Sequence, residues 1–578
     1  VRVALVPGPG QSGLLCALAA AGTAAQLPVH VPDLAGAVAE RERSGEVRWV
    51  WQSAALIYPG LLRAGVRLAR SHDAELIEAL LLSRAGQASE PAALTAAAAR
   101  LAGRPAPLAG SGPAPAAAGG AATTGAGQLQ FGEPDGELTR QAADALMADL
   151  IAVHASQLAR IGGDPLPQRF GLLATAESAG GLAAAEMTAA GLPWRADVHD
   201  ELLTELLGPR PQAAPGLPLR PARLAELAVQ ISAALGAVRP VNLDSPAQLL
   251  RALAASGIRV PSTRVSVLRT VDHPVIPLLL KYKELARLHT ANGWSWLDTW
   301  VSGGRFRPEY IVGGVVSGRW ATRGGGALQI PKILRRAVVA DPGWTLVVAD
   351  AAQLEPRILA ALAGDRAFAQ AAASGDIYAA VASAAGTDRD RAKKALLSAM
   401  YGGTGGEGGQ SLALLRRRFP QASAFVEAAA RAGEEGRVVQ SVLGRSCPRP
   451  SATWLAVTSE SGDPEQHRDP DAGRAARARG RFTRNFVVQA SAADWALVLL
   501  AALRTGLSGI GRPGSEQRPH LVFFQHDEVV VHCPADLAAE VVAAIEAAAA
   551  TATKLVFGTT EVSFPMSVSV VDCYADAK

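Results

Sequence analysis

The stretch TLVVAD, residues 345–350, and the stretch LVFFQHDEVVVHC, residues 521–533, decide how this chain is read. TLVVAD is an apolar run closed by a carboxylate, the pattern of a buried strand that delivers Asp350 to the edge of a sheet. In the second stretch two β-rich arms flank a polar centre, as in a tight hairpin that carries Asp527. Two such edges side by side make a paired-carboxylate site. Mg²⁺ prefers hard oxygen ligands and retains water, so one or two carboxylates together with substrate phosphates suffice to hold it. Two ions about 3.5–4 Å apart activate a hydroxyl and stabilise a leaving oxygen. A lone Asp is more often a turn or capping residue, so the pair needs support from elsewhere in the chain.

That support is RDRAKKALLSAMYGG, residues 389–403. Arg389, Lys393, Leu397 and Tyr401 recur every four positions and form one slowly rotating stripe on a helix. Cations followed by an apolar and an aromatic residue suit a nucleoside triphosphate: the charges meet phosphate, and the rest meets sugar and base. Taken alone, the same stripe is an amphipathic helix with a solvated cationic end.

The bulk numbers set the frame. A chain of 578 residues exceeds one hydrophobic core and predicts several domains. With 49% hydrophobic and 19% charged residues the balance is that of a globular protein. Nothing reaches about 18 consecutive uncharged apolar residues, so no membrane span is expected. The opening VRVALVPGPG reads as a buried strand and a turn, not as a signal peptide. Cys16, Cys447, Cys533 and Cys573 form no CxxC pair, which disfavours a zinc site or a disulfide framework and fits a reducing, cytoplasmic setting. A net charge of +4 permits nucleic-acid binding without arguing for it.

Along the chain, residues 1 to about 100 alternate strand-like runs (VRVALV, VRWVW) with helical ones (AELIEALLL), an α/β pattern. Residues 103–128 are rich in Ala, Gly and Pro and predict a mobile loop. From about 135 to 300 the pattern is mostly helical, and strands return after 301. Residues 457–480 are polar and charged and read as an exposed insertion.

The three segments resemble, in order, the three sequence motifs of family A DNA polymerases, the DNA polymerase I family. Asp350 through Arg357 resembles the first motif, Arg389 through Gly402 the second, and His526-Asp527-Glu528 the third. SGRW (317–320), LQIP (328–331) and RFTRNFVVQASAAD (481–494) look like segments that hold the primer–template. VNLDSPAQLLRAL (241–253) and HPVIPLLLKYKELARL (273–288) resemble thumb elements, and FPMSVSVV is similar to the final palm strand. The likeness covers roughly residues 170–578, and ordered motifs make it far more specific than any single one.

The resemblance implies roles. Asp350 and Asp527 would hold two Mg²⁺ ions, or Mn²⁺, with Glu528 beside them. Arg389 and Lys393 would bind the triphosphate of a dNTP, and Leu397, Tyr401 and His526 would border it. Glu355 would exclude a 2′-hydroxyl, with Gln353 supporting that pocket. Arg319, Gln329, Arg481, Asn485 and Gln489 would grip DNA, through contacts that position rather than read sequence. Several positions depart from the family pattern. Ala351 and Ala352 stand where an aromatic and a serine are usual, and Pro356 replaces an aliphatic residue. Leu397 replaces an aromatic, Ser398 a glycine, and Asp390 sits at a position often basic. Leu397 puts sugar discrimination in question.

A 3′–5′ exonuclease domain precedes the polymerase in this family and needs several carboxylates. VRVALVPG has none, Tyr58 stands where an Asp is expected, Asp73 and Glu75 look structural, and Asp149 lacks the accompanying tyrosine. No 5′-nuclease domain is expected before it in this sequence.

The expected fold is α/β and α+β multidomain: a ribonuclease H-like exonuclease domain followed by a right-hand polymerase with palm, thumb and fingers. The expected domains are an inactive exonuclease-like unit over 1–165, the start of palm and thumb over 166–300, and palm and fingers over 301–578, with fingers near 358–480. The expected partners are primer–template DNA and dNTPs, with the chain a monomer and no membrane. A non-catalytic DNA-binding protein, a single-subunit RNA polymerase and an enzyme with residual exonuclease activity remain alternatives. Asp350, Asp527, Arg389 and Lys393 weigh against the first, Glu355 and the HDE triplet against the second, and the missing carboxylates against the third.

Overall fold

The computed structural model describes the chain outside residues 106–138, 213–219, 238, 324–325, 327–329, 374, 402–415, 460–469, 512–516 and 578. The loop expected at 103–128 falls, from 106 on, outside the described residues, as do Gln329, Gly402 and Gly403. The chain divides into two compact units.

The first unit comprises Val1–Ala190, Tyr310–Ala321 and Val347–Val570. It begins with a sheet of strands β1 (Arg2–Pro7), β2 (Gly13–Leu18), β3 (Val29–Val31), β4 (Arg48–Trp51) and β5 (Arg70–Asp73), in the order β3-β2-β1-β4-β5. β1 pairs antiparallel with β2 and parallel with β4. β4 pairs parallel with β5, so this sheet is mixed. Helices cover it because its strands are apolar on both faces: Leu5, Trp49 and Trp51 feed one core, Ala4, Val6 and Val50 another. The segment around Tyr58 forms the helix Ala54–Arg63.

The sequence reading of the first core strand holds: Trp344–Ala351 is a strand whose residues 345–349 are buried. It lies in a sheet with the hairpin strands His520–Gln525 and Glu528–Pro534 and with Met566–Val571. Glu528–Pro534 is its direct neighbour on one side and Met566–Val571 on the other.

The helix Pro470–Ser508 runs through this unit, packed by Trp495, Leu499, Leu500 and Leu503 into the largest core. By length and composition its stretch Asp471–Ser508 could cross a membrane, yet 83% of its most apolar window is buried inside the protein. It is a core strut. Its first turns, residues 470–480 of the segment expected as an exposed insertion, are helical. Alanine and arginine in DAGRAARARG are strong helix formers, and local charge hid that propensity. The helix is crossed closely by Pro420–Glu434. A Cβ on Gly433 would come within 2.0 Å of the Thr483 hydroxyl oxygen, which donates to the Ala429 carbonyl at 2.8 Å.

The second unit comprises Gly191–Glu309, Thr322–Leu346 and Val571–Lys578. It holds the helices Ala222–Ala234 and Val275–Asn292, both expected from their apolar periodicity. An aromatic cluster of Trp194, Trp296 and Phe306 closes its core, with ring centroids 4.8–5.6 Å apart.

Candidate active site

Asp350 is the penultimate residue of its strand, half-buried beyond four buried apolar neighbours. In the hairpin, Gln525 faces Glu528, so His526 and Asp527 form the two-residue turn. The Ala351 N–H donates to the Asp527 carbonyl at 3.0 Å, which brings the two carboxylate-bearing residues to one edge of one sheet. Glu528 is buried, whereas Asp527 is half-buried.

Two non-glycine residues among the described residues have positive φ, and both adjoin these carboxylates. His526 (φ 59°) precedes Asp527, and Gln353 (φ 56°) follows Asp350 by three residues. A left-handed residue of this kind costs about 1 kcal/mol, and such strain gathers at functional turns. Here it lets the chain reverse at Asp527 and break from strand into the helix Leu354–Ala363 just after Asp350.

Glu355 lies in the first turn of that helix. One carboxylate oxygen accepts from Arg319, the other from the Tyr401 hydroxyl. Burial, then the adjoining Glu355, pushes the Tyr401 phenol well above its usual range, so it stays a donor. Gln489 also hydrogen-bonds Tyr401. Arg319, Glu355, Tyr401 and Gln489, from four segments, thus meet at one place. His526 senses the Arg319 and Glu355 charges; loss of water contact and then Arg319 lower its pKa.

Arg319 is aimed by a turn that rests on a buried ion cluster. Arg445 bonds Glu177 at 3.0 Å and Asp494 at 3.1 Å, and all three are buried. Burial opposes the Arg445 charge, but the two carboxylates outweigh it and raise its pKa. Gly318, with φ +84°, lies so near that a Cβ there would be 2.3 Å from Arg445 Nε.

The helix Arg389–Tyr401 carries the predicted stripe: Arg389 and Lys393 are exposed, Leu397 half-buried, and Tyr401 reaches Glu355. Arg389 is held by Asp376 at 2.7 Å. The Gln353 amide donates to Asp376 at 2.8 Å and accepts from the Ile377 N–H at 2.8 Å. On the long helix, Arg481 is exposed and Asn485 and Gln489 are half-buried, spaced four apart on one face.

Comparison with known proteins follows the same lines. The profile described as DNA polymerase family A matches residues 220–575. The chain belongs to DNA polymerase family A. Among family A relatives, the thermostable DNA polymerase I of Thermus filiformis is 28% identical over 308 residues, 47% of this chain and 34% of that protein. That of Thermus thermophilus is 26% identical over 377 residues, 57% and 41% respectively. DNA polymerase I of Chloroflexus aurantiacus is 25% identical over 330 residues, 51% of this chain and 32% of that protein. The match therefore spans well under half the length of these curated relatives. A solved structure, the POL domain of Pol1 from M. smegmatis in complex with DNA primer-template and dNTP, superposes with TM-score 0.70 at 20% identity. It covers 100% of this chain and 95% of that one, and shares the family A polymerase-domain fold.

Sequence reasoning did not name three residues that the structure places against these side chains or beneath their turns: Asp376, Tyr378 and Arg445. Asp376 had a legible signal, an Asp placed before the apolar run IYAAVASAA, which marks a helix N-cap. Arg445 had none, since its partners come from helices far away in sequence.

Proposed function

We propose that this chain is a DNA-dependent DNA polymerase module. Its reaction is attack of a primer 3′-hydroxyl on the α-phosphate of a dNTP: the new phosphodiester forms, the bond to pyrophosphate breaks, and the hydroxyl proton leaves. The observation that carries the reading is the Ala351 N–H to Asp527 carbonyl bond, which sets Asp527 beside the end of the Asp350 strand. Two half-buried carboxylates at one sheet edge are hard oxygen donors and fit Mg²⁺ or Mn²⁺, with substrate phosphates completing the ligand set. Such ions, held by Asp350 and Asp527, supply Lewis-acid charge at the transferring phosphate. Glu528 supports the hairpin from within. Arg389 and Lys393 bind the triphosphate, and Leu397 and His526 border the base and sugar. Glu355, held by Arg319 and Tyr401, walls off a ribose 2′-hydroxyl. Gln353 acts through Asp376. Gln329, Arg481, Asn485 and Gln489 contact primer–template DNA. The enzyme works in replication or repair, as a cytoplasmic, nucleoid-associated monomer.

The domain over residues 1–165 we read as an exonuclease-like fold without its chemistry, an assignment supported by the mixed five-stranded sheet. Asp73 is spent as a helix cap, accepting from the Ala54 and Leu76 N–H groups at 2.7 and 3.0 Å. Tyr58 is buried and donates to Glu186 at 2.6 Å, while Glu186 in turn pairs with Arg504.

The test is primer extension on a labelled duplex with a 5′ overhang, with Mg²⁺ and dNTPs. Asp350→Asn or Asp527→Asn lowers extension by orders of magnitude while DNA affinity stays near normal. Extension by either variant at the wild-type rate contradicts the assignment.

A further inference from the structure

Asp376 joins the turn after Asp350 to the cationic helix. Its carboxylate accepts from the Tyr378 and Ala379 N–H groups at 3.0 and 3.2 Å, capping the helix Ile377–Ala385. It also accepts from Gln353 Nε2 at 2.8 Å and from Arg389 Nε at 2.7 Å. Because Gln353 Oε1 takes the Ile377 N–H, both ends of that amide are clamped to this cap. The buried Tyr378 ring lies beneath both cations of the stripe, with Arg389 Cζ 5.6 Å and Lys393 Nζ 5.7 Å from its centroid.

We propose that Asp376 is a resident competitor for Arg389: the triphosphate of an incoming nucleotide takes the guanidinium from this carboxylate, and the exchange sets nucleotide affinity. The inference rests on the dNTP-binding reading of Arg389 and Lys393. Three observations carry it. The Arg389–Asp376 pair is solvent-accessible, with side chains 50% and 37% exposed, so it is weak enough to trade. Phosphate oxygens accept from a guanidinium in the same bidentate manner as a carboxylate and bear more charge, so the exchange is favourable. After Arg389 leaves Oδ2, the Gln353 amide and two backbone donors still hold Asp376 Oδ1, so the carboxylate stays in place, ready to take the guanidinium back when pyrophosphate departs. Tyr378 gives both cations a π-face during the transfer.

Burial alone would raise the Asp376 pKa, but Arg389, Gln353 and the Ala379 N–H hold it down to about 2. The competitor is therefore charged while Arg389 rests on it.

The test uses the full chain and the variant Asp376→Asn, which keeps a capping oxygen and removes the charge. Steady-state primer extension gives kcat and KM for dNTP, and inorganic pyrophosphate gives an inhibition constant for the anion alone. Asp376→Asn lowers KM and the pyrophosphate constant together, by about threefold, with kcat little changed. In an Arg389→Ala background the same substitution alters neither. A KM that is unchanged or raised in Asp376→Asn overturns the exchange, because the carboxylate then presents Arg389 productively. If Arg389→Ala leaves both constants at wild-type values, the dNTP-site reading itself fails, a separate and recognisable result. Thermal unfolding checks the fold; should Asp376→Asn be unstable, Asp376→Ser keeps a helix cap and carries the same comparison.

Discussion

The Tyr401 hydroxyl donates to the Glu355 carboxylate, tying the last residue of the cationic helix to the first turn after Asp350. Arg319 takes the other oxygen of the same carboxylate. Glu355 is thus held from two sides, and its position is fixed more firmly than a lone surface glutamate.

Under the proposed role of Glu355 against a ribose 2′-hydroxyl, Glu355→Ala removes the carboxylate held by Arg319 and Tyr401 and opens that space. The ratio of NTP to dNTP incorporation should rise, measured by single-nucleotide primer extension. Tyr401→Phe removes one anchor only and should move the ratio in the same direction by less. Equal ratios in wild type and Glu355→Ala would transfer the selection to the surroundings of Leu397.

Gly318→Ala should lower activity and stability together. The new methyl would stand 2.3 Å from Arg445 Nε, and Arg445 is pinned by Glu177 and Asp494. Residue 318 also adopts φ +84°, where alanine is strained. The combined cost is about 1–3 kcal/mol, readable as a lower unfolding midpoint, together with slower primer extension as Arg319 is displaced from Glu355. An unchanged midpoint would mean that the Arg445 cluster yields readily.

The N-terminal sheet should be acid-labile. His72 and His154 are buried edge to face, their ring centroids 4.2 Å apart. Burial, chiefly, lowers their pKa values to about 4 and about 2. A depressed folded pKa favours the fold above the unfolded value, 6.5, and that stability is lost as pH falls from there toward about 4. For His72 the shift corresponds to roughly 3 kcal/mol. Circular dichroism melts between pH 7 and pH 4 should show a falling midpoint, and His154→Phe should flatten that fall. The same slope in the variant would place the acid sensitivity elsewhere.

No 3′–5′ degradation of a mismatched primer is expected when dNTPs are withheld. Two-metal hydrolysis needs converging carboxylates, whereas Asp73 caps a helix and Tyr58, standing where an Asp is expected, is bonded to Glu186. Tyr58→Phe should instead lower the unfolding midpoint by an amount matching about 1–2 kcal/mol, since the Glu186 and Leu68 partners lose the hydroxyl. Primer shortening that persists in Asp350→Asn would expose a true exonuclease, because that variant removes pyrophosphorolysis.

The carboxylate turns were legible because local pattern writes them. Apolar runs ending at Asp350 and flanking Asp527 specify strands whichever way the rest of the chain folds, and a four-residue spacing specifies the stripe of Arg389, Lys393, Leu397 and Tyr401. At residues 470–480 the polar pattern left secondary structure unread, and helix propensity continues the long helix there.

By itself, then, the sequence determined the core strands, the main helices and the order of the motifs, all of which depend on residues a few positions apart. Only the tertiary structure decided that Glu355 is shared by Arg319 and Tyr401, 36 and 46 residues away, and that Arg445 is neutralised by Glu177, 268 residues away. It also decided that Arg389 rests on Asp376 and that Gln353 serves that cap. The reason is physical: buried or half-buried polar groups must find partners, and which distant segment supplies the partner depends on how the helices and sheets pack.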